Sequence, residues 1–258
     1  MVKRKYIKSP ISVGQKFMSI SSGEVEVLSY KNYKMVEVLF LNSGAIKWVR
    51  GDHLKIGNIK DYYQPTVFGV GIVGDNVTTI DGKTTTVYNA WCGILERCYS
   101  EKLHIKRPTY KDCEVSEEWK RLDNFKVWFE DNHREGWEID KDLLVKGNKL
   151  YSADTCRYVP KSLNNLIKEN WKLNTKDLPL GVTHSIECTI NPYIATVSLG
   201  EDKRIYIGSF PTPELAFSAY KVEKEAYIKT FAKKLFTGND IDSTLYTALI
   251  NYEVQPYE

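Results

Sequence analysis

The sequence predicts an α+β chain of several modules: a small N-terminal β-barrel, a central strand–loop–strand–helix unit, and a C-terminal three-stranded sheet with one helix. Three observations lead there. Short runs of alternating apolar and polar residues, separated by turn residues, crowd positions 13–60. The period changes to helical spacing from Val87. Near the C terminus three strand-like runs precede one long helical stretch. The boundaries drawn from these changes are 1–62 for the barrel, 63–86 for a hairpin linker and 87–170 for the central module. A basic linker covers 171–178, the sheet-plus-helix module 179–237, and an acidic tail 238–258.

The 258 residues are enough for two or three small domains. The longest apolar run, Val38–Leu41 with Val36 before it, is too short to span a membrane. The basic start MVKRKYIKSP lacks the apolar stretch of a signal peptide, which places the chain in the cytoplasm. Five cysteines without a CxxC pair (Cys92, Cys98, Cys113, Cys156, Cys188) argue against a disulfide framework. Zinc held by Cys98, Cys113 and Cys156 is one reading of them; buried thiols fit their irregular spacing better. The net charge of +3 is unevenly spread: residues 1–62 carry +6, 63–156 carry −3, 157–178 carry +3 and 238–258 carry −4. Two basic stretches flanking an acidic one suit a protein that holds phosphates at two places.

In the first module KFMSI, GEVEVLSY, KMVEVLFL, AIKWVR and HLKIG are five strand candidates, with SSG, KNYK, NSG and GDH as turns. The stretch resembles Tudor-type barrels. Its Lys31, Tyr33, Lys34, Lys47, Trp48 and Arg50 fit either a grip on a phosphate backbone or ordinary outward strand positions. GVGIVG at 69–74 matches GxGxxG, but the Thr-rich DNVTTIDGKTTT after it predicts a hairpin, not a phosphate-binding helix. Trp91, Ile94, Leu95 and Cys98 then fall on one helical face. Trp119, Leu122, Phe125 and Phe129 fall on another, with Ser116 as the N-cap.

Residues 137–167 predict a strand bearing Glu138, Asp140 and Asp142 on one face, a KGNK turn, a second strand CRYV halted by Pro160, and a helix from SLNNLI. This stretch, with YNAWCGILERCY and EEWKRLDNFKVWF upstream, resembles the phage-encoded HNH endonucleases, many of them homing enzymes, over residues 87–170. The resemblance implies a ββα-metal fold, in which a strand acid and a helix His or Asn hold one divalent cation. Asp140 or Asp142 matches the strand ligand, Asn164 the helix ligand, and Asn148 a loop-stabilising position. The family's strand histidine, which activates water, is missing. Glu138, Ile139 and Lys141 stand in its candidate places, and His133 precedes the Gly136 turn. A carboxylate with an ordinary pKa near 4 is a weak substitute. If the site worked at all, Glu138 and Asp140 would carry it with Mg²⁺; an acidic strand face without metal is the other reading.

The pattern GV…YIATVSL…RIYIGSFPTPELAFSAY resembles the Apetala-type (ethylene-response-factor) DNA-binding domain. The helix has Thr212 as N-cap, Pro213 at its first position, Glu214 in its first turn, and Leu215, Ala216, Ala219, Val222, Ala226 and Tyr227 as its apolar face. The resemblance implies a sheet that enters the major groove. Arg204 and Tyr206 fall on the family's Arg and Trp positions, Thr196 and Ser198 on outward positions, and Thr183 and Ser185 where plant members carry arginines. Lys203 adjoins them, and Lys161, Lys168, Lys172 and Lys176 form a basic connector suited to phosphates. The combined expectation is a double-stranded DNA-binding protein of phage or mobile-element origin, needing no cofactor to bind. It has lost cleavage and acts by occupancy as a transcriptional repressor; an active metal-dependent nicking endonuclease is the alternative.

Overall fold

The computed structural model describes residues 10–167, 178–198 and 204–256. The chain divides into two compact units, residues 1–127 and 128–258. Both mix helices with antiparallel strands, and no helix among the described residues is long and apolar enough to cross a membrane.

The first unit opens with four strands, β1 (Lys16–Ser19), β2 (Gly23–Asn32), β3 (Met35–Phe40) and β4 (Ile46–Val49), in the order β1-β2-β3-β4. Alternation turns Val25, Val27, Val36, Val38 and Phe40 inward, where Ile11, Leu54 and Ile59 join them. The sheet stays open, so the expected five-stranded barrel is corrected to a four-stranded meander. The missing fifth strand, HLKIG, begins instead within a short helix, α1 (Gly51–Lys55). Arg50 grips the Asp52 carboxylate through Nε and Nη2, at 3.0 and 2.8 Å, while Asp52 also accepts the His53 N–H. That local network winds the chain, and Leu54 alone turns into the core.

The GVGIVG stretch leads to no helix. It is followed by the hairpin β5 (Thr79–Ile80) and β6 (Lys83–Thr84), with Asp81 and Gly82 both at positive φ in the turn. Helix α2 (Thr86–Tyr99) is capped by Thr85 and buries Trp91, Ile94, Leu95 and Cys98. Short elements α3 (Glu101–Lys106) and β7 (Glu114–Val115) precede helix α4 (Leu122–Asn132). Ser116 does not cap α4: its hydroxyl accepts the Trp119 N–H at the head of a 3₁₀ turn, and α4 starts at Leu122.

In the second unit β8 (Trp137–Asp140) and β10 (Arg157–Pro160) pair antiparallel, with β9 (Leu150–Tyr151) between them in sequence. Helix α5 (Lys161–Ile167) starts directly after Pro160. A three-stranded sheet follows, β11 (Val182–His184), β12 (Tyr193–Ser198) and β13 (Arg204–Phe210), and then the 25-residue helix α6 (Pro213–Thr237). Thr212 caps α6 by accepting the Leu215 N–H. Gly181, at φ +72°, sits so close to the Tyr220 ring that an added Cβ would lie 2.1 Å from it. Only glycine permits the sheet to approach α6 there.

The buried stripe of α6 is Ala216, Tyr220, Lys224, Ile228, Ala232 and Leu235, not the expected face, for Leu215, Val222 and Ala226 are exposed. The tail also differs from expectation. Residues 243–250 form helix α7 (Ser243–Ile250), capped by Asp242, and Ile241, Leu245 and Leu249 enter a core with Val159, Leu163, Leu166, Ile228, Ala232 and Leu235. Two of its four acids are ion-paired, Asp240 with Arg134 at 2.7 Å and Asp242 with Arg157 at 2.9 Å.

Leu249→Ala should therefore cost ~2–5 kcal/mol in chemical unfolding, whereas Leu215→Ala on the exposed side should stay within ~0.5 kcal/mol. Equal, small losses would mean that α7 is a solvated tail.

Candidate functional site

Two groups of residues in the second unit carry chemistry: the acids around β8, and the outward face of the three-stranded sheet.

On β8, pleating turns Glu138 and Asp140 to one side and Trp137 and Ile139 to the other. Register places Glu138 opposite Val159 and Asp140 opposite Arg157. Helix α5 lies over the Glu138 side, where buried Asn164 donates from Nδ2 to Glu138 Oε2 at 2.6 Å. The helix amide is thus engaged with Glu138, two residues before the predicted ligand Asp140 on the same strand. Asp140 turns to its own loop, its Oδ1 accepting the backbone N–H groups of Asp142 at 3.0 Å and Leu143 at 2.8 Å.

Asp142 lies beyond the end of β8, so the expected row of three acids on a strand is two. Its carboxylate takes the Lys141 ammonium at 3.0 Å. Lys141, itself buried, also donates to the Asn148 carbonyl at 2.7 Å. Asn148 returns the bond, donating from Nδ2 to the carbonyls of Lys141 and Leu150, while its Oδ1 accepts the Leu150 N–H. Lys141 and Asn148 therefore staple the loop between β8 and β9. Sequence reasoning placed Asn148 in this loop but assigned Lys141 nothing beyond a vacant histidine position.

Burial, with the Asp142 carboxylate beside it, pushes the Asp140 carboxyl up to about 6. The ordinary value near 4 expected from sequence is corrected accordingly. His133 supplies no base to these acids. It follows the last turn of α4, stacks on Phe129 at 4.3 Å and sets its edge against Tyr158 at 5.3 Å. Tyr158 pairs with Ile139, on the side of the ribbon opposite Glu138 and Asp140.

A divalent cation needs several oxygen ligands converging on one point. Here Asn164 is turned to Glu138, Asp140 to two backbone amides, and Asp142 to an ammonium. As arranged, Asp140, Asp142 and Asn164 each hold a partner within the chain. No three His, Cys, Asp or Glu among the described residues are grouped to hold a metal ion.

The second group lies on the sheet. Its inner side, with Val182, Ala195 and Val197, packs on Ala216 and Tyr220 of α6. The outer side is not covered by that helix. Thr196 faces Tyr206 across the β12–β13 ladder, Ser198 faces Arg204, and Thr183 faces Ile194. A bulge between Ala195 and Thr196 shifts the register and sets Ser209 opposite Ile194. Tyr206 is 61% exposed, and its hydroxyl shares a 2.8 Å hydrogen bond with Ser209 Oγ. Thus five of the sequence-predicted residues (Thr183, Thr196, Ser198, Arg204, Tyr206) share one face, and Ser209 and Ile194, which sequence reasoning passed over, belong with them. Ser185 sits just past β11, its N–H donating to the Pro192 carbonyl at 2.7 Å. Lys161 is exposed at the start of α5. Lys168, Lys172, Lys176 and Lys203 lie outside the described residues. No protein-family model, curated protein or solved structure matches the chain.

The Asp140 carboxyl makes a sign-definite prediction for metal-free buffer. Its folded pKa is raised above the unfolded value of about 3.8, so the folded state binds the extra proton. The charged form costs stability, fully so above pH 6, and the cost fades as pH falls from 6 towards 4. Asp140→Asn keeps an oxygen for the two backbone donors, and should stabilise the protein by ~1–3 kcal/mol at pH 8. At pH 4 its unfolding midpoint should match wild type. A gain that does not vary with pH would remove the charge from the explanation.

Proposed function

We propose that the chain is a sequence-specific double-stranded DNA-binding protein, related to the HNH homing endonucleases, that acts by occupying its site and leaves the DNA uncut. A transcriptional repressor works in this way. The observation that carries the reading is the outer face of β11–β13, where Arg204, Tyr206, Thr196, Ser198 and Thr183 stand together on the side away from α6. A two- or three-stranded ribbon is narrow enough for the major groove, and arginine paired with hydroxyls can read its donors and acceptors. The loss of cutting is supported by the engagement of Glu138 with Asn164 and by the position of His133 on the other side of the ribbon.

A second reading, a metal-dependent nicking endonuclease, is favoured by one observation. In the metal-free chain, burial and the neighbouring Asp142 push the Asp140 carboxyl up to about 6, nearer neutrality than an ordinary carboxylate and so better suited to accept a proton.

Paired titrations on cognate and scrambled duplexes test the first reading. A bidentate Arg–guanine contact is worth ~1–3 kcal/mol of discrimination, so Arg204→Ala should weaken the cognate site ~5–150-fold. Scrambled DNA should lose much less, and Arg204→Lys should restore part of the loss. Equal losses on both duplexes would make Arg204 a phosphate contact and dismiss the sheet as reader. Incubation with Mg²⁺ or Mn²⁺ should leave both strands intact; a nick abolished by Asp140→Ala would establish the second reading instead.

A further inference from the structure

On the central strand of the C-terminal sheet, β12, every second side chain faces away from α6. Ile194, Thr196 and Ser198 do so, while Ala195 and Val197 between them are buried with Val182, Ala216 and Tyr220. The outer residues have polar partners across the ladders. Ser198 stands opposite Arg204 and Thr196 opposite Tyr206, and Ile194 lies between Thr183 on β11 and Ser209 on β13. One aliphatic side chain therefore sits in the middle of a face made of hydroxyls and an arginine. Among the described residues it is not part of the core beneath the sheet, and it is half-buried by its neighbours.

The surroundings of Ile194 suit an apolar partner. The Ser209 hydroxyl beside it is already shared with the Tyr206 hydroxyl, 2.8 Å away, and Thr183 brings a methyl group along with its hydroxyl. Branching at Cβ leaves Ile194 and Thr183 few rotamers, so the surface they offer is stiff. Such a surface gains nothing against a phosphate. It gains where the partner also presents an apolar group, and in the major groove one base does so: thymine, through its C5-methyl. Ile194 and Ser198, the partner of Arg204, lie about 13 Å apart along the strand, a few base-pair steps of ~3.4 Å.

We propose that Ile194 reads a thymine by packing on its C5-methyl in the major groove, in the same site as the guanine that Arg204 would meet. The inference rests on the reading of the β11–β13 face as a DNA-binding surface, and adds one base to it. An isoleucine that merely favours the strand would be indifferent to that methyl.

Duplexes selected by the whole chain from a random pool supply the probe. Each thymine of the selected site is replaced in turn by deoxyuridine, which keeps the base pair and removes only the methyl. Binding by the wild-type chain should weaken about fourfold at one thymine, as expected for one methyl group returned to water. Ile194→Ala should bind thymine and deoxyuridine at that position alike, and Arg204→Ala should keep the fourfold difference. A purely structural Ile194 would lower both affinities on substitution and leave the difference in place. Ile194→Val keeps the branch and should retain part of the difference, which serves if alanine unfolds the strand. A selected site without thymine, no loss with any deoxyuridine, or a loss that persists in Ile194→Ala would each overturn the proposal and leave the DNA-binding reading standing. Selection of no duplex over any other would overturn both.

Discussion

One helix holds the second unit together. The N-terminal turns of α6 press Ala216 and Tyr220 into the sheet, and its later turns press Ile228, Ala232 and Leu235 against Val159, Leu163 and Leu166 of the ββα ribbon. Between these two apolar stretches lies Lys224, buried, with its ammonium on the Tyr220 hydroxyl at 2.9 Å. A cation there needs its polar neighbours, so the helix has only one rotational setting that satisfies both ends. α7 then closes the second core, and Leu180 and Val254 tie the chain end back towards the sheet through backbone bonds to Pro256 and the Glu225 carboxylate. The outer face of the sheet and the acidic ribbon consequently belong to one compact unit, residues 128–258.

That arrangement gives the acidic ribbon a structural use which needs no reaction. Asn164 and Glu138 join helix to strand, Asp140 nucleates the turn, and Lys141 with Asn148 closes the loop. Each group that a nuclease would present to a cation here completes a local hydrogen bond. A ββα scaffold that keeps its shape through such bonds remains a sound support for the sheet, whose donors and acceptors are what a base-reading surface requires.

Much of this was legible in the sequence where a single physical signal governs. Helix α2 buries the four residues its spacing named, since its stripe is wholly apolar. The strand–loop–strand–helix order and the Thr212-Pro213-Glu214 start of α6 rest on turn and capping chemistry that is local by nature. The failures occur where tertiary packing overrides local character. Tyr220 and Lys224 hide their long stems in the core, so a face chosen by apolarity alone was rotated towards Leu215 and Val222. Four acids masked the apolar spacing of Ile241, Leu245 and Leu249. HLKIG alternates like a strand, but the Arg50–Asp52 fork just ahead of it goes with a helix. The raised pKa of Asp140 depends on neighbours that no pattern along the chain records.

The proposed occupancy of a particular DNA site without cleavage is tested most directly by footprinting the whole protein, with Mg²⁺ present, on fragments that tile the genome encoding it. The expected result is a short protected segment, flanked by unprotected DNA and with both strands continuous through it. Uniform weak protection that vanishes with added salt, or a break inside the protected segment, would contradict it.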